Sequence, residues 1–223
     1  MSEKVVPNFL PSQNGLHYAN RWPSGPTVRF GPIDPRAIGV GDASNGLCGG
    51  MVFTVRDLFD AGIKVPPDTE PPANGSPRFQ SIVRRQVQSL DWFRVPVRFY
   101  ARTAFGSWLG GGLAKQTFED EWPKIRREID EGRLAMLGLI RVNSRNPFKL
   151  TGNHQVVAYG YAEDGRGVTL RLYDPNWPDK DDVTATLHLD QALHPTTIDQ
   201  STGETLFGYF LAPFVAGDVR AWR

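Results

Sequence analysis

The fold class is decided by residues 152–177, GNHQVVAYGYAEDGRGVTLRLYDPNW, in which two apolar runs flank a turn. The runs cover residues 154–161 and 168–173, and the turn signal between them is Asp164-Gly165. Short runs rich in Val, Leu and Tyr on either side of an Asp-Gly pair are typical of a β-hairpin. We therefore predict two neighbouring antiparallel strands here.

The segments around this hairpin place helices first and strands afterwards. Apolar spacing of three and four residues predicts helices over about residues 48–61, 77–92 and 118–131, the last with Thr117 as its cap and with Trp122, Ile125 and Ile129 in the core. Continuous or alternating apolar runs predict further strands over residues 134–142, 183–189 and 207–213. This order favours an α+β fold, with N-terminal helices packed on a C-terminal antiparallel sheet, over a doubly wound one.

The length of 223 residues predicts a single domain over residues 1–223. Within it we expect an irregular N-terminal segment over residues 1–43, laid on the surface, with a short strand at 27–30. A helical part follows over about residues 44–132, and a sheet part over about 133–215.

Composition excludes several classes of protein. The chain has 25 Lys and Arg against 24 Asp and Glu, a net charge of +1, so no broad field favours nucleic acid. Its apolar runs are too short for a membrane span. Residues 1–14 lack the apolar stretch of a signal peptide. We therefore expect a cytoplasmic protein, or one exported without a cleaved signal.

Cys48 is the single cysteine, which rules out an intramolecular disulfide and a Cys-rich zinc site. No motif indicates a cofactor or another metal site. Cys48 stands at the predicted start of the first strong helix, where the dipole and free N–H groups lower a thiol pKa. Gly46, Gly49 and Gly50 would let another backbone, such as a substrate's, come close. The alternative is that Cys48 packs as a small hydrophobic residue.

His154 begins a predicted strand, at the rim of the sheet where its side chain reaches a cleft. A hairpin centred on Asp164 would pair His154 with Asp174, with Cβ atoms about 4.5–5.5 Å apart. A two-residue turn at Asp164-Gly165 would instead place Pro175 opposite, with Asp174 or Asn176 as the neighbour. The alternatives are a structural histidine and an ordinary strand-ending Asp-Pro turn.

These motifs resemble the papain-like cysteine peptidase fold, and most of all its bacterial C39-like branch. The resemblance covers about residues 40–177: a cysteine at a helix start, a strand-opening histidine before Val-Val-Ala-Tyr-Gly-Tyr, and a hairpin ending in Tyr-Asp-Pro. It implies that Cys48 is a nucleophile, that His154 is its base, and that Asp174 or Asn176 orients the histidine. The substrate would be a peptide or protein.

One position departs from the pattern of that family. The resemblance implies a glutamine six residues before the nucleophile as oxyanion donor, and Asp42 stands there. A carboxylate cannot donate a hydrogen bond, so Asn45 or Ser44 would substitute, beside the Cys48 backbone N–H. Trp108, in a Gly-rich loop, and Trp177 are expected to line the cleft.

The sequence thus predicts a thiol-dependent hydrolase, a peptidase or isopeptidase with a Cys-His-Asp triad. A transglutaminase-like acyltransferase on the same triad is one alternative. A catalytically silent binding module that retains the fold is the other, and the Asp42 departure supports it.

Overall fold

The structure, a computed structural model, describes residues 1–22, 46–89, 112–142 and 153–223. Its helices are α1 (Pro11–Asn14), α2 (Cys48–Asp60), α3 (Pro77–Ser89), α4 (Gly112–Gln116) and α5 (Trp122–Asp130), with a π-helical turn at Thr117–Glu121 and a 3₁₀ turn at Arg220–Trp222. Its strands are β1 (Ser2–Val5), β2 (Ala135–Ile140), β3 (His154–Asp164), β4 (Gly167–Tyr173), β5 (Thr184–Leu189), β6 (Pro195–Gln200), β7 (Thr205–Leu206) and β8 (Gly208–Leu211). The expected strand at 27–30 lies outside these residues.

The eight strands form one antiparallel sheet, so the predicted α+β class is confirmed. The strand order is β7-β6-β5-β4-β3-β2-β8, and β1 pairs with the C-terminal half of β3 beside β2. The sheet curves into a nearly closed barrel, and α4 contacts both β6 and β8. Three of its strands, β1, β6 and β7, fall outside the predicted strand segments. Curvature brings the ends of β2, β3, β4 and β6 to one rim.

The register predicted for the hairpin of β3 and β4 is wrong in both of its versions. Asp164 pairs with Gly167, so the turn residues are Gly165 and Arg166. The Asp164 carboxylate accepts the Arg166 N–H at 2.8 Å and stabilises this turn. A bulge at Tyr159 then shifts the pairing, so that Val157 faces Tyr173. A bulge adds one residue to one strand, and no sequence signal marked it.

The N-terminal segment differs from the irregular surface segment predicted for residues 1–43, as far as residue 22. β1 forms ladder hydrogen bonds with β3, and the chain then enters the core. The buried side chains are Val6, Phe9, Leu16, Tyr18 and Trp22. The aromatic ring of Phe9 packs between Phe59 of α2 and Tyr159 of β3, with centroid distances of 5.2 and 5.4 Å. Residues 1–22 are therefore part of the hydrophobic core.

The helix predicted over 118–131 is longer and interrupted. It starts at Gly112, before the predicted residues, and widens into a π-helical turn before α5. The widened turn accommodates Pro123 at the start of α5, where a missing N–H costs little. Thr117 is not a cap: its hydroxyl accepts the Tyr209 N–H at 3.1 Å. The predicted core residues Trp122, Ile125 and Ile129 are confirmed.

Within the described residues, no helix has the length and apolar character needed to cross a membrane.

A buried ion pair fastens the C-terminal tail to the two packed helices α2 and α3. Asp57 of α2 and Arg85 of α3 lie 2.7 Å apart, and both side chains are under 5% exposed. The tail completes the cluster, since the Gly217 N–H donates to Asp57 and the Val215 carbonyl accepts from Arg85. Each charge is therefore compensated without water.

We expect Arg85→Met to lower the free energy of unfolding by about 3–5 kcal/mol, because it leaves the Asp57 charge buried and without its cation. Urea denaturation followed by fluorescence measures the loss. Arg220→Met is the matched control, since Arg220 pairs with Asp218 at the surface. Equal midpoints for the two variants would contradict the importance of the buried pair.

Candidate active site

Cys48, His154 and Asp174 lie together at the barrel rim. Cys48 is the first residue of α2, His154 the first residue of β3, and Asp174 the residue after β4. Helix α2 packs on β3, which brings the first two side chains together. His154 is 5% exposed and Asp174 is fully buried, whereas Cys48 is partly exposed. The cysteine is thus the most exposed of the three residues.

The imidazole of His154 is held from both sides. Its Nε2 atom lies 2.7 Å from Asp174 Oδ1, and the ring also forms a hydrogen bond with the Cys48 thiol. Because Nε2 forms the hydrogen bond with the carboxylate, Nδ1 is the ring nitrogen that faces the Cys48 thiol. The three groups form a continuous path for one proton.

The pKa values of the thiol and the imidazole are displaced in opposite directions. Burial by itself raises the pKa of Cys48, but it is outweighed by the hydrogen bond and charge of His154 and by the backbone N–H groups of Gln155 and Gly49, so the thiol pKa falls below its ordinary value. Burial lowers the pKa of His154, but the charge and hydrogen bond of Asp174, together with Cys48, raise it to about 9. The environment therefore shifts the proton from the thiol toward the imidazole.

Asp174 is the buried anion that supports this pair. Burial alone would raise its pKa, but His154, the Asn176 N–H at 2.9 Å and Arg141 hold the pKa below the usual range. Between the candidates that the sequence left open, Asp174 supplies the oxygen that contacts the ring. Asn176 contributes its backbone N–H to that oxygen instead.

Asn20 is a residue that the sequence interpretation missed. Its Oδ1 atom accepts the Leu47 N–H at 2.7 Å, directly before Cys48, and the Trp22 indole N–H at 2.9 Å. Its Nδ2 atom donates to Asn176 Oδ1, and its backbone N–H donates to the Pro175 carbonyl. One side chain thus joins the start of α2 to the Asp174 turn. It lies in a segment without periodicity, so no sequence signal pointed to it.

The first turn of α2 is capped from α3. Leu47, the residue before the helix, makes no side-chain cap. Instead Gln86 Oε1 accepts the Gly50 N–H at 2.8 Å. The carboxamide satisfies one of the free N–H groups that every helix start has. Gln86 was also missed, because capping from a distant helix leaves no local signature.

The glycines around Cys48 serve internal packing, and the expectation that Gly46 and Gly49 line a cleft stays a prediction. A Cβ on Gly49 would lie 2.1 Å from Ser89 Oγ and 2.6 Å from Gln155 Oε1. A Cβ on Gly46, where φ is +87°, would lie 2.6 Å from Asn20 Nδ2. Both glycines therefore admit the protein's own side chains.

The remaining predicted residues divide into two groups. Trp177 is partly buried and packs against the core, its indole N–H buried without a partner and its ring 5.3 Å from Lys180 Nζ. The others lie outside the described residues: Asp42, Ser44, Asn45 and Trp108. The oxyanion donors expected from residues 42–45 thus stay predictions.

Comparisons of the chain with protein-family models, with curated proteins and with solved structures found no match. The functional assignment therefore depends on the geometry of the site.

We expect Gly50→Ala to destabilise the protein, although Ala normally stabilises a helix interior by about 0.5–1 kcal/mol relative to Gly. The new Cβ would lie 2.2 Å from the Ile82 carbonyl oxygen, so α2 and α3 would have to separate. Thermal unfolding measures the change. Gly165→Ala is the control, since a Cβ there meets nothing within 4 Å. A Gly50→Ala variant as stable as wild type would disprove this close helix contact.

Proposed function

We propose that this protein is a thiol-dependent hydrolase with Cys48 as nucleophile, His154 as general base and acid, and Asp174 as the group that orients His154. The observation that carries this proposal is the hydrogen-bonded chain from the Cys48 thiol through His154 to the buried Asp174 carboxylate. A nucleophile bonded to a base that is itself oriented by a third group is the arrangement that nucleophilic catalysis needs.

The reaction begins with the Cys48 thiolate, which attacks the acyl carbon of the substrate and forms a C–S bond. As the tetrahedral adduct collapses, the C–N bond breaks and the His154 imidazolium gives its proton to the leaving amine. Water then attacks the thioester while neutral His154 takes its proton. The C–S bond breaks, the acid product leaves, and the imidazolium–thiolate pair is restored.

Each environment matches its role in this cycle. The raised pKa of His154, about 9, keeps the imidazolium as a proton donor in the first half. The lowered pKa of Cys48 favours the thiolate, the form that attacks the acyl carbon. Asp174 fixes the ring with Nδ1 toward the sulfur. Partial exposure of Cys48 gives an acyl group access to the thiolate.

A papain-like relationship, with a peptide or protein as substrate, is part of the proposal. Its support is the order of the elements: a nucleophile at the start of α2, a histidine at the start of β3 and an acid after β4. The packing of α2 on an antiparallel barrel agrees with that order. Cleavage of a peptide or isopeptide bond is the corresponding reaction.

The activation of Cys48 is tested by its rate of alkylation with iodoacetamide from pH 4 to pH 10. An ordinary thiol titrates near pH 8.5, and we expect wild type to show an inflection well below this value. In His154→Ala the inflection should rise above pH 8.5, because burial then acts on the thiol without a compensating imidazolium. His188→Ala is the matched control, since His188 is surface-exposed and pairs with Asp199.

An ordinary wild-type inflection that His154→Ala leaves unchanged would overturn the proposal and favour a silent binding module. If the thiol is activated, a peptide substrate with and without a primary amine separates hydrolysis from acyl transfer. Products that contain the amine would indicate an acyltransferase.

The role of Asp174 is tested by the titration of the His154 ring followed by NMR. Asp174 raises the folded-state pKa of His154 above its ordinary 6.5, so the imidazolium persists in wild type until the pH passes about 9. In Asp174→Asn the negative charge is lost, and we expect this midpoint to move to lower pH by at least about one unit. Asp179→Asn, which removes the exposed partner of the partly buried His17, is the control. An unchanged His154 midpoint in Asp174→Asn would contradict the orienting role.

A further inference from the structure

The second oxygen of Asp174 faces a polar cluster at the barrel rim, away from His154. Gln200 Nε2 donates to Asp174 Oδ2 at 3.1 Å, and the nearest guanidinium nitrogen of Arg141 lies 3.4 Å from the same oxygen. Arg141 also donates to Gln200 Oε1 at 2.9 Å. Because Arg141 has only donors, this bond fixes the carboxamide with its NH₂ group toward Asp174.

The cluster holds one anion between two cations. His154 contacts Asp174 at 2.7 Å, whereas the Arg141 contact is longer, at 3.4 Å. The guanidinium is turned partly toward Gln200, and Glu204 lies 3.9 Å from it. A bidentate pair of Arg141 with Asp174 would be the stronger arrangement for an arginine and a carboxylate, and it would compete with His154 for the charge.

The surroundings of Arg141 allow it to form this bidentate pair with Asp174. Its Nε atom is buried and has no hydrogen-bond partner, so a donor is free to turn. Its backbone is fixed beside the site, because Asn153 Oδ1 accepts the Arg141 N–H at 3.0 Å. Gln200 is 5% exposed and fills the space beside the carboxylate. The carboxamide therefore limits the guanidinium to one long contact with Asp174, at 3.4 Å.

We propose that Gln200 is a positioning residue that limits the Arg141 guanidinium to one long contact with Asp174 and so keeps the carboxylate turned toward His154. Gln200 ends β6 and Arg141 follows β2, strands that three others separate in the sheet order. Only the curvature of the sheet brings them to one carboxylate. This role rests on the proposed function of the triad, but its test has separate outcomes.

The test is a double-mutant cycle with the His154 ring titration as readout. In Gln200→Met the methionine fills a similar volume but neither donates nor accepts, so Arg141 closes on Asp174. The His154 midpoint should then move to lower pH by about one unit, which corresponds to a tenfold change in the protonation equilibrium. Cys48 alkylation at pH 7 should slow in parallel.

Arg141→Met should move the same midpoint to higher pH, because the competing cation is gone. The double variant Gln200→Met/Arg141→Met should keep the raised midpoint of Arg141→Met, because Gln200 then has no guanidinium to restrain. A merely structural role for Gln200 predicts instead that the two losses add. Asp199→Asn is the control, since Asp199 neighbours Gln200 in the chain but pairs with exposed His188.

Two results would overturn the positioning role while the proposed function stands: an unchanged midpoint in Gln200→Met, or no recovery in the double variant. If Gln200→Met does not fold, the upward shift in Arg141→Met still tests the competition, and its absence would refute the role. Failure of the proposed function has a different signature, an unactivated Cys48 in wild type.

Discussion

The structure depends most on the burial of one charge, the carboxylate of Asp174. A carboxylate removed from water needs several donors, because its desolvation is costly and one hydrogen bond does not compensate it. Here Oδ1 accepts from His154 and the Asn176 N–H, and Oδ2 from Gln200 and Arg141. Those donors come from the ends of β2, β3 and β6 and from the turn after β4. The anion therefore requires the barrel rim to be closed around it.

The same carboxylate affects the pKa of the candidate nucleophile, Cys48, through two successive hydrogen bonds. Asp174 raises the pKa of His154 to about 9, and the imidazolium in turn lowers the pKa of Cys48 against the effect of burial. Because each pKa depends on a contact between different elements, small displacements of the rim would alter the thiol. Contacts such as those of Gln86 with α2 and of Asn20 with Leu47 and Asn176 limit such displacements.

Packing of α2 against α3 explains the glycine-rich sequence at the nucleophile in terms of the fold. Gly49 leaves room for the side chains of Ser89 and Gln155, and Gly50 lets the Ile82 carbonyl come close. The start of α2 is thereby held by α3 on one side and β3 on the other. The sequence predicted that another group could come close to these glycines. The groups that come close to Gly49 and Gly50 belong to the protein itself.

The sequence by itself determined most of the elements and the candidate site residues. Apolar spacing marked most of α2, α3, β2, β3, β4, β5 and β8, and it gave the core positions of α5, because periodic burial leaves a local pattern. Cys48, His154 and Asp174 were predicted as a site because a thiol, an imidazole and a carboxylate act together in nucleophilic catalysis. Their joint location followed from a strand start and a strand end at one rim.

Only the tertiary structure decided the contacts that depend on distance in the chain. The Tyr159 bulge, the strands β1, β6 and β7, and the entry of residues 1–22 into the core arise from packing that no local pattern reports. The same holds for Asn20, Gln86, Arg141 and Gln200, polar residues whose partners lie far away in sequence. A polar side chain acquires its role from the groups that surround it, and those groups are set by the closure of the sheet.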